Sequence, residues 1–248
     1  MSDTLRQQIG EILDRAETEL VRTVAQQARP SGRELLDREL REIKDAVLRM
    51  GEAVAESIRH SVDALVQDDP ALATTVVQGD RRINEMQREV SALITTTIAT
   101  QQPVARDLRF LLAIDHVAYE LERIGDHATS VAKHARQLAG KPPLLQYVAL
   151  PEIGELAVQQ LHAILQALVD VDEIAARQVA AVDDEIDVRY HASFEGLLTL
   201  MRADSANVER GTRLLLVAHD LERIGDRVTN IAEDVVFLAR GEIEDLNP

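Results

Sequence analysis

A charged, amphipathic segment that occurs twice constrains this chain more than any other feature. Residues 120–132 read ELERIGDHATSVA, and residues 220–232 read DLERIGDRVTNIA, 100 residues later. Around each copy, apolar residues recur at steps of three and four, as in Leu214, Val217, Leu221, Ile224 and Val228. Such spacing is typical of one face of an amphipathic helix. Both copies are therefore predicted to lie on helices, with their acids at equivalent positions of an internal repeat.

The rest of the chain also has the character of long helices. Hydrophobic residues make up 46% of the sequence and aromatic residues only 2%, so the core must be built from Leu, Ile, Val and Ala. That composition favours helices, and no sustained alternation of polar and apolar residues indicates a strand. We predict an all-α protein of two tandem, internally repeated three-helix bundles, six long antiparallel helices in all, with an extra N-terminal helix.

Capping residues, proline and glycine set the predicted helix boundaries. Ser31 and Glu34 form a capping box for the first helix, and Asp69–Pro70 opens the second. Pro142 and Pro143 mark a linker between the bundles, and Pro151 opens the fourth helix. The segments QQPVAR, DVDE and RADSAN separate the remaining helices. The predicted domains are an amphipathic extension at 1–30, a first bundle at 31–141 and a second bundle at 148–241.

Charge and composition exclude several classes of protein. The net charge is −16 and the pI is about 4.8, which argues against binding to nucleic acid or to anionic lipid. The chain has no cysteine, so disulfides and thiolate metal sites are excluded. The N-terminal residues lack a signal-peptide pattern, and no apolar run is long enough for a membrane span. We therefore expect a cytoplasmic protein without membrane insertion.

Each copy of the repeat carries two acids four residues apart. Glu122 with Asp126, and Glu222 with Asp226, lie one turn apart on the same face of a helix. The preceding helix of each half carries a second pair, Asp80 with Asn84 in the first half and Asp183 with Asp187 in the second.

Antiparallel packing is predicted to bring these pairs together. Position 80 is predicted to lie beside 124 and position 84 beside 120, while 183 lies beside 226 and 187 beside 222. One turn further along the last helix of each half come Ser130 and Asn230. We use the name first patch for Asp80, Asn84, Glu122 and Asp126. The second patch is Asp183, Asp187, Glu222, Asp226 and Asn230. Glu120 and Asp220 flank the motif, and Glu233 is predicted to extend the second patch.

Clustered carboxylates beside an amide have two readings. They are hard oxygen ligands that suit Mg, Mn or Fe, and without a cation neighbouring acids repel one another. Alternatively, each patch is a solvated acidic face with Arg123, Arg223 and Arg227 as local counterions. A ferritin-like site is not indicated, because no histidine follows a glutamate by three residues.

Signatures of catalysis are missing from the sequence. It contains no phosphate-binding Walker loop, no G-x-S-x-G and no H-E-x-x-H. We therefore expect no enzymatic activity. Because two-metal sites are built from carboxylates, a metal hydrolase or a metal-storage bundle stays as the alternative function.

The two signature copies in tandem resemble the PhoU family of phosphate-transport accessory regulators, whose signature reads D/E-L-E-R-I-G-D-H-A-x-N-I-A. The resemblance covers about residues 34–241. It implies a regulator without catalysis of its own, which couples the ATPase of a phosphate ABC transporter to a sensor histidine kinase. It also implies a homodimer that holds the phosphate-starvation response off when phosphate is plentiful.

The resemblance further implies multinuclear metal clusters bound through E/D-x-x-x-D motifs. Glu122 with Asp126 and Glu222 with Asp226 match that motif, Asp183 with Asp187 matches the companion motif, and Asp80 with Asn84 matches it less well. The expected ions are Fe, Zn, Mn or Mg.

Three departures from the signature make the halves unequal. Ser130 replaces the signature Asn in the first copy, and Asn84 replaces an acid on the preceding helix. Arg227 replaces His in the second copy. We therefore expect the second bundle to bind more metal than the first.

Overall fold

The computed structural model describes residues 32–144 and 149–246, which form helices joined by short turns. The α-helices are α1 (Gly32–Val66), α2 (Pro70–Gln101), α3 (Ala105–Leu138), α4 (Ala149–Asp170), α5 (Glu173–Ala180), α6 (Asp183–Ala203) and α7 (Val208–Arg240). A short 3₁₀-helix, Ser205–Asn207, precedes α7. These ranges contain no β-strand, and the all-α fold is confirmed. The predicted helix at 1–30 and the Ser31 cap lie outside the described residues.

The described residues from 39 onward form one structural unit, and residues 32–38 belong to another. In the smaller unit, at the start of α1, Arg33 pairs with Asp37 at 2.9 Å. Both acidic patches lie in the larger unit. The division into domains at 31–141 and 148–241 stays a prediction.

The turns that precede α2 and α5 repeat one another. In each, an aspartate caps the next helix, because Asp69 or Asp172 accepts hydrogen bonds at 2.9–3.1 Å from the N–H groups two and three residues later. The residue before each cap, Asp68 or Val171, has a positive φ of 55° or 52°. Two turns with the same cap and the same backbone are what an internal repeat requires.

The prediction of one continuous fifth helix is wrong, because the helix is interrupted between Ala180 and Asp183. The buried side chain of Gln160, on α4, donates a hydrogen bond to the carbonyl oxygen of Val179 at 3.1 Å. The backbone N–H of Val182 donates to the same carbonyl at 3.1 Å, which tightens the turn. A new helix, α6, then begins at Asp183. The break therefore places the first acid of the second patch at a helix N-terminus.

Other boundaries lie close to the predicted ones. α3 ends at Leu138, just before Gly140, and α7 ends at Arg240 with Gly241 as its left-handed cap. α4 already includes Ala149, so Pro151 lies within its first turn and does not open it. A proline is tolerated there because the first N–H groups of a helix have no partner within that helix.

The core is lined by the apolar stripes that the sequence predicts. Side chains of α1, α3, α4 and α7 are fully buried, among them Val47, Ile58, Ile114, Ile124, Ile164 and Ile224. α3 and α7 run antiparallel, since His116 meets Asp234 near one end and Lys141 meets Glu209 near the other. No helix in the described ranges combines the length and apolar character that crossing a membrane requires. The two signature helices thus form the centre of the molecule.

Candidate functional site

The second patch lies where the first turn of α6 packs on the middle of α7. Asp183, the first residue of α6, is only 4% exposed, and Asp187 follows one turn later. On α7, the side chains of Glu222 and Asp226 are 19% and 23% exposed. Four carboxylates therefore share one partly buried position between two helices.

Burial and repulsion from neighbouring carboxylates disfavour the ionised forms of Asp183, Glu222 and Asp226. Burial, followed by the negative charges of Asp226, Asp187 and Glu222, raises the pKa of Asp183 to about 7. The pKa values of Glu222 and Asp226 are also raised, in both cases mainly by burial. The second patch thus retains protons at a pH where ordinary carboxyl groups have lost them.

Two basic side chains offset part of this repulsion. His219 Nδ1 lies 3.4 Å from Glu222 Oε2, and Arg223 Nη1 donates to Asp226 Oδ2. The charge of Arg223 lowers the pKa of Asp226, against the larger effect of burial. The expected counterion role of Arg223 therefore agrees with the structure.

Gly225 makes room for the second patch. A Cβ atom at this position would lie 2.4 Å from Asp183 Oδ1 and 3.0 Å from Ile186 Cδ1, and real Cβ atoms do not approach other heavy atoms as closely as 2.4 Å. The glycine between Glu222 and Asp226 thus allows the Asp183 carboxylate to lie against the backbone of α7. In the first half, a Cβ atom at Gly125 would meet only Ile83, at 3.2 Å.

The first patch is more open, and two side chains donate hydrogen bonds to its first acid. Asp80 accepts hydrogen bonds at 3.2 Å from Thr129 Oγ1 and from Asn84 Nδ2. Glu122 has a raised pKa, caused by burial and then by Asp126, yet the Asp126 side chain is 44% exposed. Arg123 lies 3.7 Å from Glu122 and from Asp126.

The predicted alignment of the helices holds better in the second half than in the first. Asp183 lies against Gly225, next to Asp226, as predicted. In the first half Asp80 lies level with Thr129 and not with position 124, a shift of about one turn. Asn230 is half-buried one turn beyond Asp226.

The acid at the start of each signature does not belong to the patches. Glu120 contacts Arg227 of α7 at 3.4 Å. That position 84 lies beside Glu120 stays a prediction. Asp220 contacts His127 of α3 at 3.0 Å. Both acids lie on the side where α3 and α7 meet, because Glu120 and Asp220 are two residues before the patch glutamates and therefore point in another direction. Sequence reasoning missed this contact by treating each half alone.

Glu233 also has a different neighbourhood from the one predicted. It accepts a hydrogen bond at 3.0 Å from the backbone N–H of Leu246, in the segment that follows α7. Its pKa is raised by burial and by the charge of Asp245. Glu233 therefore contacts the C-terminal segment and does not extend the second patch.

The donor atoms of the second patch suit a hard cation. All are carboxylate or amide oxygens, which Mg²⁺, Mn²⁺ and iron accept as ligands. Glu222 Oε2 is buried and makes no hydrogen bond among the described residues. Within the same residues, no three His, Asp or Glu side chains are already arranged to hold a metal ion. The chemistry of the donors fits a cation, and the role of these residues as ligands stays a prediction.

Comparison with known proteins identifies the family of the chain. The sequence model of the PhoU domain matches residues 47–135 and again residues 150–235, so each half of the chain contains one match. The chain belongs to the PhoU family. The resemblance to this family seen in the sequence is thereby confirmed.

Individual PhoU proteins are similar over most of the chain. A phosphate-specific transport system accessory protein PhoU homolog of Xylella fastidiosa (strain 9a5c) is 37% identical over 206 residues, which is 83% of this chain and 87% of that protein. The phosphate-specific transport system accessory protein PhoU of Serratia marcescens is 33% identical over 204 residues, which is 82% of this chain and 84% of that protein.

Two solved structures have the same fold. The crystal structure of PhoU from Pseudomonas aeruginosa has a TM-score of 0.79 and 35% identity, covering 83% of this chain and 99% of that one. That of the phosphate transport system regulatory protein PhoU from Streptococcus pneumoniae has a TM-score of 0.79 and 30% identity, covering 85% and 99%. The family is one of regulatory accessory proteins, which confirms the expectation that this chain is not an enzyme.

Proposed function

We propose that this chain is a cytoplasmic accessory protein of phosphate transport that also regulates the phosphate-starvation response. In this proposal it couples the ATPase of a phosphate ABC transporter to a sensor histidine kinase, as a negative regulator and a homodimer. The observation that carries the proposal is the match of both halves to the PhoU domain, together with the names of the relatives, which describe accessory and regulatory proteins of phosphate transport.

The proposal includes metal binding at the acidic patches, with the second patch as the stronger site. Asp183, Asp187, Glu222 and Asp226 would hold an Fe, Zn, Mn or Mg ion, with Asn230 nearby. The cation would supply positive charge beside Asp183, Glu222 and Asp226, whose pKa values burial has raised. The raised values support this role, since buried acids that repel one another are stabilised by a neighbouring cation.

A deletion strain tests the regulatory part of the proposal. Deleting the gene is expected to turn on a phosphate-starvation reporter in phosphate-rich medium and to change the rate of phosphate uptake. The wild-type chain should restore both, and binding to the purified transporter ATPase and to the kinase should be measurable by biolayer interferometry. Unchanged reporter activity and uptake in the deletion strain would contradict the proposal.

The dimer needs a measurement of its own. Light scattering coupled to size-exclusion chromatography is expected to give twice the monomer mass of 27.5 kDa. A monomer at every concentration tested, with or without added Mn²⁺, would remove the homodimer from the proposal.

A further inference from the structure

The two signature helices exchange charged pairs across the centre of the molecule. Arg227 Nη1 of α7 lies 3.4 Å from Glu120 Oε2 of α3, and His127 Nδ1 of α3 lies 3.0 Å from Asp220 Oδ1 of α7. Glu120 and Asp220 are the same position of the repeat, and so are His127 and Arg227. Each helix therefore presents an acid to the other helix's base, and a pseudo-two-fold axis relates the two contacts. We call these four residues the clasp.

The clasp lies in a mostly apolar contact. The Glu120 side chain is only 3% exposed, and the Asp220 side chain 14%. Ile124 and Ile224, midway between the acid and the base of each helix, are fully buried. A buried charge is costly unless it is paired, so sliding or rotating one helix past the other would break both pairs at once. The clasp thereby fixes the alignment of α3 and α7.

Other polar pairs between these helices lack this symmetry. His116 Nδ1 lies 2.8 Å from Asp234 Oδ2. In the repeat, however, His116 corresponds to Leu216 and Asp234 corresponds to His134, so this pair has no counterpart. The repeated pair is therefore a property of the signature itself. The pair accounts for two positions of the signature. These are the acid at its start, position 120 or 220, and the base after its last aspartate, position 127 or 227.

Three contacts between helices, and the short stretches of α3 and α7 between them, link the clasp to both patches. Asp183 of the second patch lies against Gly225, which is two residues from Arg227. Arg227 contacts Glu120, which is two residues from Glu122 of the first patch. On the other side, His127 is adjacent to Asp126 and contacts Asp220, two residues before Glu222. A displacement of α7 relative to α6 therefore reaches α3 through the clasp.

We propose that Glu120, His127, Asp220 and Arg227 are positioning residues that couple the two acidic patches, so that a change of charge at one patch alters the other. This inference rests on the proposed function, because it concerns regulation of the patches as sites. In physical terms, the alignment of α3 with α7 is the structural element whose equilibrium both patches influence.

Hydrogen exchange on the full, metal-free chain tests the coupling without assuming that any metal binds. The perturbation is Asp183→Asn, which replaces an ionisable carboxyl group by a neutral amide in the second patch alone. With the clasp intact, it is expected to change amide exchange in residues 122–130 of α3 by at least about threefold, within the range that coupled residues show. The same substitution should change exchange in this segment less than about 1.5-fold in a Glu120→Gln/Asp220→Asn background, in which the clasp has lost its two charges.

A matched variant keeps the clasp but exchanges its two bases. His127→Arg combined with Arg227→His retains an acid opposite a base on both sides, so the effect of Asp183→Asn on α3 should persist. If Glu120→Gln/Asp220→Asn fails to fold, judged by circular dichroism, Asp220→Asn alone takes its place, because His127 remains partly exposed to water. No response of α3 with the clasp intact, or an equal response without its charges, overturns the coupling.

Titration with Mn²⁺ separates this inference from the proposed metal binding. If Mn²⁺ binds neither patch while the exchange results are as expected, the coupling stands and the metal role fails. If Mn²⁺ binds the second patch with the same affinity in the wild type and in a Glu122→Gln/Asp126→Asn variant, and the exchange response is also missing, the coupling fails while the metal role stands.

Discussion

The two acidic patches derive from one repeat, yet their first acids are held in different ways. Asp80 lies inside the continuous helix α2, where Thr129 and Asn84 donate to its carboxylate. Asp183 begins α6 after a break in the chain, is almost completely buried against Gly225, and has a pKa of about 7. The same signature thus produces one patch whose first acid accepts hydrogen bonds from Thr129 and Asn84, and one whose first acid has a pKa raised mainly by burial and then by neighbouring carboxylates. This difference suggests where a cation would bring the larger gain.

The largest expected effect concerns the clasp and compares its two bases. Arg227→Ala leaves the buried Glu120 with His116, 3.5 Å away, as its remaining base, and should lower the free energy of unfolding by about 3 kcal/mol. His127→Ala leaves Asp220, which is more exposed, and should cost about 1 kcal/mol. Urea denaturation followed by circular dichroism measures both. Equal losses would show that burial of the acid does not decide the cost.

The two mid-helix glycines provide the second comparison. Gly225→Ala places a Cβ atom against Asp183 and Ile186, and should destabilise the protein by about 2 kcal/mol through overpacking. Gly125→Ala meets only the Ile83 side chain at 3.2 Å, and the better helix propensity of alanine, about 1 kcal/mol, should offset that contact. Chemical denaturation of the pair tests this. A Gly225→Ala variant as stable as the Gly125→Ala variant would contradict the close approach of Asp183.

The raised pKa of Asp183 predicts a pH dependence of the protein's stability. Its folded-state pKa of about 7 lies above the ordinary value of 3.8, so between these values the native state holds a proton that the unfolded state has lost. The stabilisation that this proton gives the native state is therefore fully present below about pH 4, and it disappears as the pH rises to about 7 and beyond. The free energy of unfolding contributed by this group falls with rising pH.

Asp183→Asn should remove this dependence. At pH 8, without metal, the variant is expected to melt about 2–4 °C above the wild type, which corresponds to about 1 kcal/mol for a chain of this size. At pH 4 the two should melt together. Differential scanning calorimetry at both pH values, with Asp80→Asn as the matched control, makes the comparison. A gain from Asp80→Asn as large as that from Asp183→Asn would show that the patches do not differ.

Sequence reasoning succeeded where one physical signal decided the outcome. The stripe that includes Leu221 and Ile224 is fully buried, as the spacing predicts. Asp69–Pro70 opens α2 because a capping side chain and a preset φ act together at one point.

Features that depend on contacts between distant helices were not predictable in the same way. The break before Asp183 depends on a hydrogen bond from Gln160, which no local pattern around residues 179–183 reveals. Helix periodicity, applied within one half only, predicts that Glu120 lies near the first patch. A signal was present, since an acid and a base seven residues apart in both copies occupy one helix face next to the apolar stripe.

Metal content of the purified, untagged protein tests the central claim, that the second patch is the principal cation site. Elemental mass spectrometry is applied to the wild type, to Asp183→Ala/Glu222→Ala/Asp226→Ala, and to the matched variant Asp80→Ala/Glu122→Ala/Asp126→Ala. We predict Fe, Zn, Mn or Mg in the wild type, most of it retained when the first patch is removed and lost when the second is removed. Full metal content without the second patch, or an empty wild type after incubation with these ions, would contradict the account.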